Sequence, residues 1–104
     1  MELGIATNPT PACYTVTVTG EVDISNADRL RDAIDLALEQ PTSAVELDFS
    51  GVSYIDSTGI GVLVGAAHHA AERERTFRIV NVQMPVMRVA QLLGVDTEIG
   101  MSAA

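Results

Sequence analysis

The chain has 104 residues, a formal net charge of −8 and no lysine, so it lacks the basic patch that nucleic acid or an anionic membrane would require, and a basic protein surface suits it better as a partner. Its length is one domain's worth, and its 47% apolar content argues against disorder. With two Phe, two Tyr and no Trp, aliphatic side chains must fill the core, and no aromatic platform exists for stacking bases.

Met1 to Pro11 has neither a basic n-region nor an apolar h-region, so a signal peptide is not expected. Leu3 to Ala6 reads as a short strand, and the prolines within Asn8–Pro11 mark a turn. Cys13 is the single cysteine, which rules out a disulfide within the chain and fits a reducing cytoplasm; it reads as a small buried hydrophobe. Tyr14 to Thr19 alternates apolar and polar side chains, the pattern of a half-buried strand, and Gly20 is expected to break it. Ser25 is expected to open a helix, with Asp28 at capping-box spacing. Ala27, Leu30, Ala33, Ile34, Ala37 and Leu38 form its apolar face. Arg31 and Asp35 are set to pair at i,i+4, and Pro41 ends the helix.

Ala44 to Phe49 gives the next strand, and Tyr54-Ile55 continue the apolar pattern up to Asp56. Thr58 to Ala71 is apolar nearly all round and reads as a buried helix. Its longest apolar stretch, Ile60 to Ala67, is far short of the roughly 20 residues of a membrane span. Phe77 to Val82 is a further strand. Pro85 begins a helix with Val86, Val89, Ala90 and Leu93 inward, Gly94 stops it, and Thr97 to Ile99 adds a last short strand. The order β-β-α-β-α-β-α-β predicts an α/β fold whose mixed, mostly parallel sheet is flanked by three helices, the first two strands pairing antiparallel.

The segment from Tyr54 to Leu63 holds the candidate chemistry. It passes from a strand into a helix through small polar residues, and Ser57 sits where an N-cap is expected. Several enzyme readings fail on spacing. Asp56 and Gly59 are two residues apart, where an aspartic protease has one. Gly59, Gly61 and Gly65 are one residue too long for a dinucleotide fingerprint, and no acid follows in Arg78 to Val82. A Walker loop needs a lysine. The three glycines read instead as a close approach of helix to sheet. His68 and His69 are adjacent on a helix, about 100° apart, and make no metal pair. No nucleophile, base and acid set emerges, so an enzyme is not expected.

Gly20-Glu21-Val22-Asp23, the run Leu47 to Leu63 with Asp56-Ser57-Thr58-Gly59-Ile60-Gly61, and Val80-Asn81-Val82 leading to Val86–Val89 and Leu92-Leu93-Gly94 together resemble the STAS domain family. Within it they resemble the anti-sigma factor antagonists of bacterial sporulation and stress responses. The resemblance runs through residues 3–99 and implies one STAS domain over 1–104. It implies that the unphosphorylated chain binds an anti-sigma factor that is also a serine kinase, freeing a sigma factor. Phosphorylation of the serine matching Ser57 ends the binding, and a PP2C-type phosphatase restores it. Such an antagonist is a ligand and substrate, with no catalytic activity and no cofactor. The partner surface it implies comprises Glu21, Asp23, Ser25, Asp56, Ser57, Thr58, Gly59 and Ile60. Family members commonly end in a further helix. With the chain stopping at Ala104, that helix is expected to be missing, and the sheet face it would cover to be exposed or used in a homodimer. The alternative within the same family is a soluble STAS subunit of a transporter or of a stress-signalling assembly.

Overall fold

The alternation of Thr and Val in the second strand suits a sheet with one covered face. In the computed structural model, which describes residues 3–103, Tyr14, Val16, Val18 and Val22 are buried, while Thr15 and Thr17 are half-buried and Thr19 is exposed. Strand β1 (Gly4–Pro9) pairs antiparallel with β2 (Cys13–Val22). The turn between them is closed by Thr10, whose N–H and hydroxyl both donate to the Cys13 carbonyl at 2.9 and 2.7 Å. There follow α1 (Ala27–Glu39), β3 (Ala44–Ile55), α2 (Ser57–Glu72), β4 (Thr76–Val82), α3 (Met84–Leu92) and β5 (Met101–Ala103). The strands lie side by side in sequence order, and every pairing after the first is parallel.

Right-handed crossovers that each step one strand in the same direction put their helices on one face of the sheet. The core agrees. One cluster unites Val16, Leu47, Phe49 and Ile79 of the strands with Leu30, Ile34, Leu38, Leu63, Ala66, Val86 and Ala90 of all three helices. The opposite face is largely polar among the described residues, with Ala6 and Val80 interspersed. It carries the β2 threonines, Glu46 and Asp48, and the Arg78 guanidinium spans β4 to β3 with a 3.0 Å bond to Glu46. Threonines and an ion pair make this face compatible with water.

Several boundaries differ from the sequence reading. Gly20 does not break β2; it takes φ of 100° inside the strand, where the register with β3 shifts. Such a bulge twists the ladder without ending it. β3 is continuous, because residues 51–55 stay paired to β2 beyond the end of β4. α1 starts at Ala27 with Asn26 as its N-cap residue, so the Ser25–Asp28 capping box does not form. Arg31 lies 3.5 Å from Asp32 and not against Asp35, which instead faces His69 at 3.8 Å. Residues 97–99 are turn rather than strand, because Ile99 N–H and Met101 N–H bond back to Val95 and Asp96 at 3.0 Å each. β5 follows only after Gly100, whose φ is 68°.

Candidate functional site

The parallel strands β2, β3 and β4 end at the same edge of the sheet, and α1, α2 and α3 start there. This end of the sheet carries residues 21–26, the Asp56-Ser57-Thr58 turn and the entry to α3.

Asp56, not Ser57, caps α2. Its Oδ1 accepts from Gly59 N–H at 2.9 Å, its carbonyl accepts the first helical bond from Ile60 at 3.0 Å, and its own N–H donates to Val22 at 3.1 Å. The second carboxylate oxygen accepts from Ile24 N–H at 3.2 Å, across 32 residues of sequence. One side chain thus fastens both the start of α2 and the β2–α1 loop. We expect Asp56→Ala to cost about 1 kcal/mol, the usual worth of an N-cap. A chemical-denaturation midpoint unchanged from wild type would contradict that role.

Ser57 is the first helical residue, and its side chain is exposed. Among the described residues its hydroxyl makes no hydrogen bond. Thr58 is also exposed and faces a shallow groove of about 440 Å³ that Gly61, Val62, Gly65 and Ala66 share with Arg31 and Asp35 of α1. Gly59 is a true close approach, since a Cβ there would lie 2.6 Å from Ile55 Cγ1 and 2.8 Å from Val22 Cγ1. Gly61 and Gly65 face open space, which corrects the reading that all three glycines serve contact with the sheet.

Residues 21–26 form a dense turn. Asp23 N–H donates to Asn26 Oδ1 at 2.9 Å, Asn26 Nδ2 donates to the Glu21 carbonyl at 2.9 Å, and the Ser25 N–H and hydroxyl donate to Asp23 Oδ1 at 2.9 and 2.5 Å. The Ser25 hydroxyl, then its backbone N–H, hold the Asp23 carboxyl below the ordinary value of 3.8, against slight desolvation. On the polar sheet face the Ser50 backbone N–H, followed by the Ser50 hydroxyl and the Asn81 amide, does the same for Asp48, against partial burial. A carboxyl whose folded pKa is depressed stabilises the fold above its unfolded pKa, and that contribution is lost as pH falls through the folded value. The urea midpoint should therefore drop between about pH 5 and about pH 2, and drop less in an Asp23→Asn/Asp48→Asn double variant. An equal drop in both proteins would refute the assignment.

The structure brings Glu21, Asp23, Ser25, Asp56, Ser57 and Thr58 to one end of the sheet. Gly59 and Ile60 lie there too, but both are buried, Ile60 at 3% exposure, so the Ile60 side chain offers no surface to a partner. The spacing Gly59, Ile60, Leu63, Ala66, Ala70 is the inward stripe of an ordinary helix and already carried that information. Sequence reasoning missed Ile24 and Met84, which stand exposed at this end, and Asn26, which braces the turn. Among the described residues no group of three or more His, Cys, Asp or Glu is placed to hold a metal, and no helix is long and apolar enough to cross a membrane.

Known proteins share this fold. The anti-sigma-B factor antagonist of Staphylococcus aureus is 28% identical over 94 residues, covering 90% of this chain and 87% of that protein. The crystal structure of an anti-sigma factor antagonist from Mycobacterium paratuberculosis superimposes with a TM-score of 0.87 at 22% identity, covering 99% of this chain and 87% of that one. The Bacillus cell fate determinant SpoIIAA in its phosphorylated form superimposes with a TM-score of 0.74 at 20% identity, covering 97% and 91%, and its unphosphorylated form reaches 0.81. These structural likenesses concern the fold. The family model described as "Mlab, STAS domain" matches residues 5–101, and the chain belongs to the STAS domain family.

Proposed function

We propose that this chain is an anti-sigma factor antagonist whose binding is switched by phosphorylation of Ser57. The observation that carries the reading is the Ser57 hydroxyl itself, exposed and unengaged at the first residue of α2, next to Asp56, which fastens the β2–α1 loop. The name of the Staphylococcus relative and the existence of SpoIIAA in two phosphorylation forms support it. In this reading the unmodified chain binds an anti-sigma factor with serine kinase activity and so releases a sigma factor. The kinase moves the γ-phosphoryl of ATP onto Ser57 Oγ; the Oγ–P bond forms, the bond to the β-phosphate oxygen breaks, ADP leaves, and the hydroxyl proton goes to a base on the kinase. A PP2C-type phosphatase reverses the modification. The chain acts as ligand and substrate in the cytoplasm, and its acidic surface suits a partner that is locally basic.

Binding of the purified anti-sigma factor from the same genome to the wild-type chain and to Ser57→Ala tests the reading. Both should bind when unmodified, and only the wild type should lose binding after incubation with ATP. Failure of the unmodified chain to bind would remove the antagonist reading. Capture of a membrane permease in its place would favour the transporter-subunit alternative.

A further inference from the structure

Among the described residues, six large apolar side chains are exposed, and three of them, Ile24, Tyr54 and Met84, are at the same end of the sheet as Ser57. Ile24 differs from the others in how it is held. It is 78% exposed, yet it stands in a turn whose backbone is fastened on every side. Its own N–H is held by Asp56, Asp23 N–H is held by Asn26, Ser25 N–H is held by Asp23, and Asn26 reaches back to Glu21. A β-branched side chain has few rotamers, so Ile24 on this turn has little conformational freedom left to lose on binding. A lone exposed apolar residue is ordinary; one presented rigidly has the properties of a binding anchor. Its surroundings are acidic. Glu21, Asp23 and Asp28 lie within residues 21–30, where Arg29 is the one cation, and Asp56 lies beneath.

We propose that Ile24 is the apolar anchor of the partner-binding surface, presented by a turn that Asp56 locks, and that it enters an apolar pocket edged by arginine or lysine on the anti-sigma factor. This rests on the antagonist reading and deepens it. The Asp56 carboxylate then has two duties, capping α2 and positioning the anchor, and it sits next to the residue that receives the phosphate.

The test is the affinity of the purified full-length chain for the purified anti-sigma factor, measured for Ile24→Ser, Ile24→Leu and Leu92→Ser. Leu92 is 87% exposed at the far end of α3 and serves as the control. Ile24→Ser should weaken binding at least about tenfold, Ile24→Leu should recover most of it, and Leu92→Ser should stay within about twofold. Ile24→Ser binding within twofold of wild type overturns the proposal. So does an equal loss in Leu92→Ser. Asp56→Asn keeps an oxygen for Gly59 N–H but replaces the second with an amide that cannot accept from Ile24 N–H. It should speed hydrogen exchange at the Ile24 amide and weaken binding; unchanged exchange and affinity overturn the positioning role. If wild type and Ile24→Ser bind alike while Ser57→Asp does not bind, the anchor falls and the switch stands. If unmodified wild type does not bind at all, both fall.

Discussion

Phosphorylation of Ser57 is expected to lower affinity for the anti-sigma factor by at least about 100-fold while leaving the melting temperature within a few degrees. The two halves have separate causes. At the start of α2, Gly59 N–H is taken by Asp56 Oδ1 and Ile60 N–H by the Asp56 carbonyl, so the donors left for a phosphate are the N–H groups of Ser57 and Thr58. Their attraction, with the helix dipole, is worth roughly 0.3–1 kcal/mol at an exposed site. Repulsion from the neighbouring Asp56 carboxylate opposes it by about the same amount. The balance is small, and about 1 kcal/mol moves a domain of this size by roughly 4–8 °C. At the interface nothing offsets the change. A group carrying about −1.5 to −2 charges must be stripped of water against a surface shaped for a hydroxyl, at several kcal/mol, and every 1.4 kcal/mol or so is tenfold in affinity. Titration calorimetry on the two forms measures the first half and thermal melting the second. Affinities within tenfold, or a melting shift beyond about 10 °C, would mean a different mechanism.

The largest stability effect is expected at Phe49. It is fully buried and belongs to β3, the strand between β2 and β4 whose far end becomes Asp56 and Ser57. Phe49→Ala removes a ring from the core cluster that joins the sheet to all three helices. Such truncations cost about 3–5 kcal/mol, a large part of the roughly 5–15 kcal/mol that holds a domain folded. The melting temperature should fall on the order of 20 °C. Binding should fail with folding, because the turns proposed to face the partner are carried on the ends of β2 and β3. A decrease of only a few degrees would show that the core collapses around the missing ring.

The strand and helix order, the antiparallel first hairpin and the parallel remainder were legible because they rest on local patterns: Thr–Val alternation in β2, the i, i+3, i+4 stripe of α1, and Pro85 and Gly94 bracketing α3. What escaped depends on distant partners. Asp56 and Ser57 are both good caps and adjacent, and the choice falls to Asp56, whose carboxylate spans 32 residues to Ile24 N–H while also reaching Gly59. Ser25 has the right spacing for a cap, but its hydroxyl is drawn to Asp23, leaving Asn26 at the helix start. Ile99 looks like a strand residue because it is apolar among polar neighbours. It is buried in a turn whose Gly100 carbonyl accepts from Ile79 N–H at 2.9 Å, a contact no local window contains. Ile24 carries no local pattern that singles it out, and only the fold shows it held outward.

The most direct test of the central claim is to incubate the purified chain with the anti-sigma factor kinase and ATP and to locate the phosphate by tandem mass spectrometry. The expected result is one phosphate, on Ser57, and none on Ser57→Ala under the same conditions. A phosphate on Thr58 or elsewhere, or an unmodified chain, would contradict it.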